Sequence, residues 1–254
     1  MKRIRMIIEY DGTNYVGWQV QPNGVSVQQL IEEQLRAVTG EPVTVNASGR
    51  TDSGVHAKAQ VAHFDTESKI PPEKFAFALN AGLPKDIRVR YSGEAPQNFH
   101  ARFDAKSKQY RYTVHNAAHS SAFLRNTALH IHYRLDMERM KLAAALFLGE
   151  HDFSAFKAAN TSVQNCVRTV TRSEWSKQGE ILHYDVEANG FLYNMVRIIA
   201  GTMLEIGMGR REPDSVKKAL LTGRRFDAGP TAPAHGLMLM RVKYEDFDTD
   251  DFLK

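Results

Sequence analysis

Apolar residues recur at every second position on both sides of one short, glycine-bracketed stretch, and that arrangement dictates the local fold. Val43, Val45 and Ala47 alternate before it, and Ala59, Val61 and His63 alternate after it. Between them runs Ser-Gly-Arg-Thr-Asp-Ser-Gly, from Ser48 to Gly54. Period-two alternation puts one face of a strand in the core, while Gly, Asp and Ser are the residues that turn a chain back. Two neighbouring antiparallel strands are therefore predicted, with Asp52 on the turn between them. An Asp in such a turn often bonds its own backbone, and Arg50 two residues away often forms a local ion pair. Neither residue by itself signals chemistry.

The same reading extends along the chain. Residues 3–10 form a first strand ending at Asp11-Gly12. Ser26 and Gln29 form a capping box for a helix carrying Val27, Leu30, Ile31, Leu35 and Val38 to a stop at Gly40. Pro71-Pro72 opens a short helix through Phe75 and Leu79. Ile87, Val89 and Tyr91 mark one strand; Tyr110, Tyr112 and Val114 mark another. Asp136 caps a helix with the stripe Met137, Met140, Ala144, Phe147 and Leu148, ending at Gly149. Strands near 167–176 and 181–188 precede a long helix from about Phe191 to Ile206. Pro213-Asp214 starts the last helix, and Leu237 to Tyr244 is the closing strand.

Strands joined by hairpins with few helices between them give an α+β chain, with a mixed, mainly antiparallel sheet flanked by helices. A doubly wound parallel fold would need more regular alternation. Residues 3–65 and 108–206 share a strand-helix-strand-strand rhythm, the pattern of two pseudo-repeated halves. The expected division is an α/β half over 1–105, carrying the Asp turn, and an α/β half over 106–254, its sheet continuous with the first.

Charge narrows the partner. The net charge of +4 conceals a more basic body, because Glu245, Asp246, Asp248, Asp250 and Asp251 crowd the end of the chain against Lys254 alone. Arg102, Lys106, Lys108, Arg111 and Arg125 form one basic segment, with Asp104 its single acid. A second runs from Arg197 to Arg225, with seven basic residues against three acids. Two such segments favour a polyanionic partner. The one cysteine, Cys166, excludes an intrachain disulfide and a C-x-x-C metal site, which suits a reducing cytoplasm. The opening MKRIRMIIEYDG reads as a strand rather than a leader. The apolar run from Gly190 to Met208 carries Arg197 and Glu205, so no membrane span is expected. His130 and His132 share a strand side without a third ligand, so no metal site is expected.

One charge sits oddly. At about 100° per residue, Leu192, Met195, Val196, Ile199, Met203 and Ile206 share a helix face. Arg197 lies on a flank with Leu204 and near Gly201. That flank is not a charged surface, so Arg197 is expected to be partly buried and to need an anionic partner.

Seven stretches then occur in order: EYDGTNYVGWQVQ (Glu9–Gln21), GRTDSGVHAKAQVAHF (Gly49–Phe64), LNAGLPKDI (Leu79–Ile87), FHARFDAKSKQYRY (Phe99–Tyr112), GEHDFSAF (Gly149–Phe156), FLYNMVRIIAGTMLEIG (Phe191–Gly207) and the terminal HGLMLMRVKY. Together they closely resemble the tRNA pseudouridine synthase A family, over nearly the full length. The resemblance implies the pseudouridine synthase fold. It also implies isomerisation of uridine to pseudouridine at positions 38, 39 and 40 (tRNA numbering) in the tRNA anticodon arm, by a homodimer that needs no cofactor. It makes Asp52 the catalytic carboxylate and Tyr110 the residue against the target uracil. Arg50 would hold Asp52 ionised and help extrude the nucleotide, while Arg197 would complete a buried Arg-Asp-Arg site. Tyr112, on the same strand face as Tyr110, is expected to be the core residue of the pair. The acidic tail after Tyr244 lies outside the resemblance and receives no role. His56 and His63 are expected to be structural or RNA-facing, and Trp18 to pack locally or touch RNA. Two rivals use other chemistry. A non-catalytic RNA-binding or RNA-chaperone protein leaves the Arg50, Asp52, Tyr110 and Arg197 set idle. A C5 methyltransferase using Cys166 would need a cofactor signature that the sequence lacks.

Overall fold

In the computed structural model, which describes residues 1–158 and 163–253, the elements follow one another as β1 (Lys2–Tyr10), α1 (Val27–Thr39), β2 (Asn46–Ala47), β3 (His56–Thr66), α2 (Phe75–Asn80) and β4 (Ile87–Ala95). Next come β5 (Ser107–Asn116), β6 (Leu129–Ile131), α3 (Met137–Ala145), β7 (Gly149–Asp152), β8 (Val167–Gln178) and β9 (Ile181–Ala188). The series closes with α4 (Met195–Gly207), α5 (Ser215–Thr222) and β10 (Leu237–Lys243). Two units form: Met1–Lys106 with Met238–Lys254, and Ser107–Leu237.

In the first unit the strands run in the order β4-β1-β3-β10. β1 is antiparallel to both neighbours, and β10 joins β3 in parallel at Met238–His56 and Leu239–Ala57. β1 is buried on both sides because each face has a cover. Ile4 lies opposite Phe64, whose ring meets Phe75 of α2 edge-on at 5.2 Å. On the other face Arg5 lies opposite His63, and the Phe247 ring sits over its guanidinium at 3.7 Å. α1 starts as expected, with Ser26 Oγ accepting from Gln29 N at 3.2 Å and Gly40 closing it at φ 76°. The Gln29 side chain bonds Glu33 instead of returning to the cap.

The predicted strand over Val43–Ala47 shrinks to β2. Val43 and Val45 are buried as the alternation requires. The Val45 backbone, however, bonds α1 side chains, donating to Glu32 Oε1 at 2.9 Å and accepting from Gln28 Nε2 at 3.3 Å. Burial periodicity thus reports the face of a segment, while strand length depends on which groups take its hydrogen bonds.

The tail is part of this unit. Asp246 lies 3.8 Å from Arg5, Glu245 lies 3.4 Å from Lys106, and Arg241 binds Asp248. Phe247 and Phe252 stack at 4.7 Å, and the ring of Tyr91 lies 4.4 Å from Phe252.

In the second unit the order is β5-β9-β8-β7, antiparallel throughout, with β6 added to β5 in parallel. α3 packs on β8 and α4. One bonded chain ties its end to the sheet: Tyr184 OH meets Ser173 Oγ at 2.8 Å, and Ser173 Oγ donates to the Ala144 carbonyl at 2.7 Å. Leu148, assigned to the α3 stripe, is exposed because the helix ends at Ala145. α4 begins four residues later than predicted, because Asn194 adopts φ 62°, a left-handed conformation that a helix cannot include. Both units are α+β with mixed, mainly antiparallel strands, in agreement with the predicted class. Among the described residues no helix is long and apolar enough to cross a membrane.

Candidate functional site

The connection from β2 to β3 is held from several sides. Ser48 is fully buried, with its Oγ donating to Gln60 Oε1 at 2.7 Å, while Gln60 Nε2 returns to the Gly49 carbonyl at 2.8 Å. Thr51 points inward, where its hydroxyl meets the Tyr10 phenol at 2.8 Å. Burial raises the Tyr10 pKa well above its ordinary value, so the phenol keeps its proton for that bond. The segment following β1 then lies alongside the turn. Trp18 N donates to Thr51 O at 3.1 Å, Gly17 bridges Asp52, and Ser53 Oγ donates to Tyr15 O at 3.2 Å. Val55 N closes the turn on Asp52 O at 3.1 Å, and Gly54 takes φ 77°.

Close approach explains a glycine in this segment. A Cβ on Gly17 would overlap the Thr51 carbonyl, and its φ of +109° suits glycine. Asp52 is thus half-buried on a backbone fixed by β1, its following loop and β3. The supporting residues Tyr10, Gly17 and Thr51 have no assigned part in the sequence reading, which expects Trp18 to pack locally or touch RNA. Their signal was present as two glycines and two tyrosines in Glu9–Gln21, directly after a strand.

Arg50 is exposed on the turn. Inward pinning of Thr51 carries its neighbour to the surface. Trp18 is buried against Tyr10, with ring centroids 6.0 Å apart. His56 and His63 are structural, their Nδ1 atoms accepting from Gly12 N at 3.0 Å and Ala101 N at 3.2 Å. Burial, with Arg3 and His100 nearby, pushes the His63 pKa down to about 4.

Tyr110 and Arg197 belong to the second unit. Tyr110 lies on β5 opposite Val186 of β9, with its ring edge-on to Phe191 at 5.1 Å. It retains 9% exposure, whereas Tyr112 has none. Tyr112 donates to the Pro233 carbonyl at 2.9 Å and is the core member of the pair. Burial raises its pKa, against the opposing charge of Arg197.

Arg197 is half-buried near the start of α4, as the flank residues require. Its Nε donates to Ala232 O at 2.8 Å and its Nη1 to Asn194 Oδ1 at 3.0 Å. Asn194 is the one non-glycine residue with positive φ among those described, so local strain places an acceptor against this guanidinium. One turn along α4, Gly201 admits the Pro230 carbonyl where a side chain would not fit.

Comparison with known proteins identifies the family. The family model described as tRNA pseudouridine synthase matches residues 6–104 and again 143–245. The tRNA pseudouridine synthase A of Geotalea uraniireducens is 51% identical over 244 residues, 96% of this chain and 100% of that protein. Those of Bacillus pumilus and Acetivibrio thermocellus are 50% and 46% identical, with the same coverage of both chains. The chain belongs to the tRNA pseudouridine synthase family, and its activity is an isomerisation.

Proposed function

We propose that this chain isomerises uridine to pseudouridine at positions 38, 39 and 40 of the tRNA anticodon arm, with Asp52 as the catalytic carboxylate. The observation that carries this reading is the fixed turn around Asp52, a carboxylate whose backbone is bonded on both flanks. The reaction breaks the N1–C1′ bond, rotates the uracil and joins C5 to C1′; C5 then gives up its proton and N1 takes one, so the mass is unchanged. Positive charge develops on the ribose during cleavage, and a positioned carboxylate stabilises that charge or attacks the sugar. The leaving group stays bound and becomes the acceptor, so no second carboxyl is needed to activate water.

The other residues bind the substrate. Tyr110, slightly exposed on a rigid strand, is the platform for an extruded uracil. Arg50, exposed beside the turn, helps draw the nucleotide out and contacts phosphate. Arg197, oriented by Ala232 and Asn194, completes the set. No small-molecule cofactor takes part in a redox-neutral rearrangement. The enzyme works in the cytoplasm as a homodimer.

The test is incubation of an unmodified tRNA transcript with the protein, followed by pseudouridine mapping. The wild type is expected to yield a carbon-linked base of unchanged mass at these positions. Asp52→Asn is expected to lose about 10⁴-fold or more in turnover while still binding tRNA, because the amide keeps the shape without the charge. Near-normal turnover in that variant would remove Asp52 from the mechanism. A wild type that binds tRNA without forming product would favour a non-catalytic RNA-binding role.

A further inference from the structure

Where the β5–β6 connection folds back, six polar side chains surround a cavity of about 440 Å³: His115, Ser120, Ser121, Arg125, His130 and His235. No carboxylate lines it. His115 and His130 are register partners of the parallel β5–β6 pair, and their rings lie 5.6 Å apart. Each has one nitrogen directed elsewhere. His130 Nε2 is 2.8 Å from the Ala117 carbonyl, which can only accept, so that nitrogen donates. His115 Nε2 faces Glu180 at 3.4 Å. His115 itself is only 6% exposed, and its Nδ1 is buried with no hydrogen-bond partner among the described residues. A buried polar nitrogen without a partner is costly, and an imidazole N–H can donate a hydrogen bond to an anion. Arg125 Nη1 donates to the Ala122 carbonyl at 2.6 Å, which anchors the guanidinium on the loop.

We propose that this cavity is a phosphate-binding site, with Arg125 and the imidazoles of His115 and His130 as the recognising groups. A cation would meet Arg125 and no carboxylate, so the chemistry favours an anion. Phe123, between two lining residues, is 94% exposed. A ring so exposed beside a phosphate site offers a stacking surface for a base. The occupant is therefore a backbone phosphate of RNA, with an adjacent unpaired base on Phe123. This RNA assignment rests on the tRNA reaction proposed above, whereas the phosphate chemistry does not.

Two measurements on the full chain test it. First, inorganic phosphate is titrated at constant ionic strength while the imidazole NMR signals of His115 and His130 are followed. Saturable shifts are expected in the wild type and their loss in Arg125→Ala. Unmoved signals in the folded wild type would overturn the site. Second, unmodified tRNA binding is measured against salt. Arg125→Ala is expected to weaken it about 3- to 10-fold and to lower the log-log salt slope by about one. Phe123→Ala is expected to weaken tRNA binding about fivefold or more while leaving the phosphate titration intact. If phosphate titrates but neither variant changes tRNA affinity, the RNA occupant is overturned and the ligand is a free phosphate. Should the wild type fail to bind tRNA at all, the functional reading falls while the phosphate titration still decides the site.

Discussion

A methyl group on Gly17 would meet the carbonyl oxygen of Thr51, one residue before the proposed catalytic carboxylate. Gly17→Ala is therefore expected to shift the turn and lower kcat by about 10- to 100-fold, more than it raises KM. Misplacement of a reacting group by about 1 Å has effects of that size. Pseudouridine formation under saturating tRNA checks it, and an unchanged kcat would show that the turn does not lean on this segment. Tyr110 separates two roles by substitution. Tyr110→Phe keeps the ring and is expected to keep RNA binding, slowing product formation only if the hydroxyl handles a proton. Tyr110→Ala removes the platform and is expected to abolish activity; full turnover would move the role elsewhere on β5. His63 makes a pH prediction. Its pKa falls from 6.5 to about 4 on folding, so below 6.5 the unfolded chain binds a proton that the native chain does not. Its contribution is complete above pH 6.5 and is lost as pH falls toward 4, by about 1.4 kcal/mol per pH unit at most. Urea unfolding at pH 7, 6 and 5 is expected to show this loss in the wild type and a shallower one in His63→Gln. Equal profiles would exclude His63 as the source.

At the scale of elements, the C-terminal segment acts as a cover for one face of β1. The family model ends at residue 245, yet Phe247 and Phe252 pack with Tyr91, and Phe247 shields Arg5. Five acids in ten residues left that segment without an expected role, and the two phenylalanines among them were a sign of packing. Phe247 is 5% exposed, so Phe247→Ala is expected to cost about 2–4 kcal/mol, near the lower range for buried aromatics because Arg5 regains some water. Urea denaturation measures it, and a change below about 0.5 kcal/mol would mean that the segment is not a cover. The later start of α4 has a comparable cause. Phe191 and Leu192 continue its apolar stripe, but the backbone reverses at Asn194, a residue type that tolerates positive φ. Periodicity could not see that reversal.

For the whole molecule, the proposed homodimer and tRNA grip make one joint prediction. The basic segments 102–125 and 197–225 lie far apart in sequence, and a 28.7 kDa chain is small beside a tRNA. Light scattering is expected to give twice the chain mass, and tRNA affinity is expected to fall steeply with salt, as release of counterions from several phosphates requires. A monomer at micromolar concentration, active on tRNA and insensitive to salt, would contradict both parts.

By itself the sequence determined the elements whose signals are local. Ser26 and Gly40 bound α1, Asp136 caps α3, and the alternation around Ser48–Gly54 yields paired antiparallel strands with Asp52 on their connection. Those signals act through caps, turns and side-chain period, which need only a few neighbouring residues. The tertiary structure alone decided the pairing of β10 with β3, the shortening of β2, the exposure of Arg50 and the pinning of Thr51 by Tyr10. Each of these depends on hydrogen bonds or packing between distant residues. Forty-one positions separate Tyr10 from Thr51, and no local pattern encodes which buried hydroxyl will meet which.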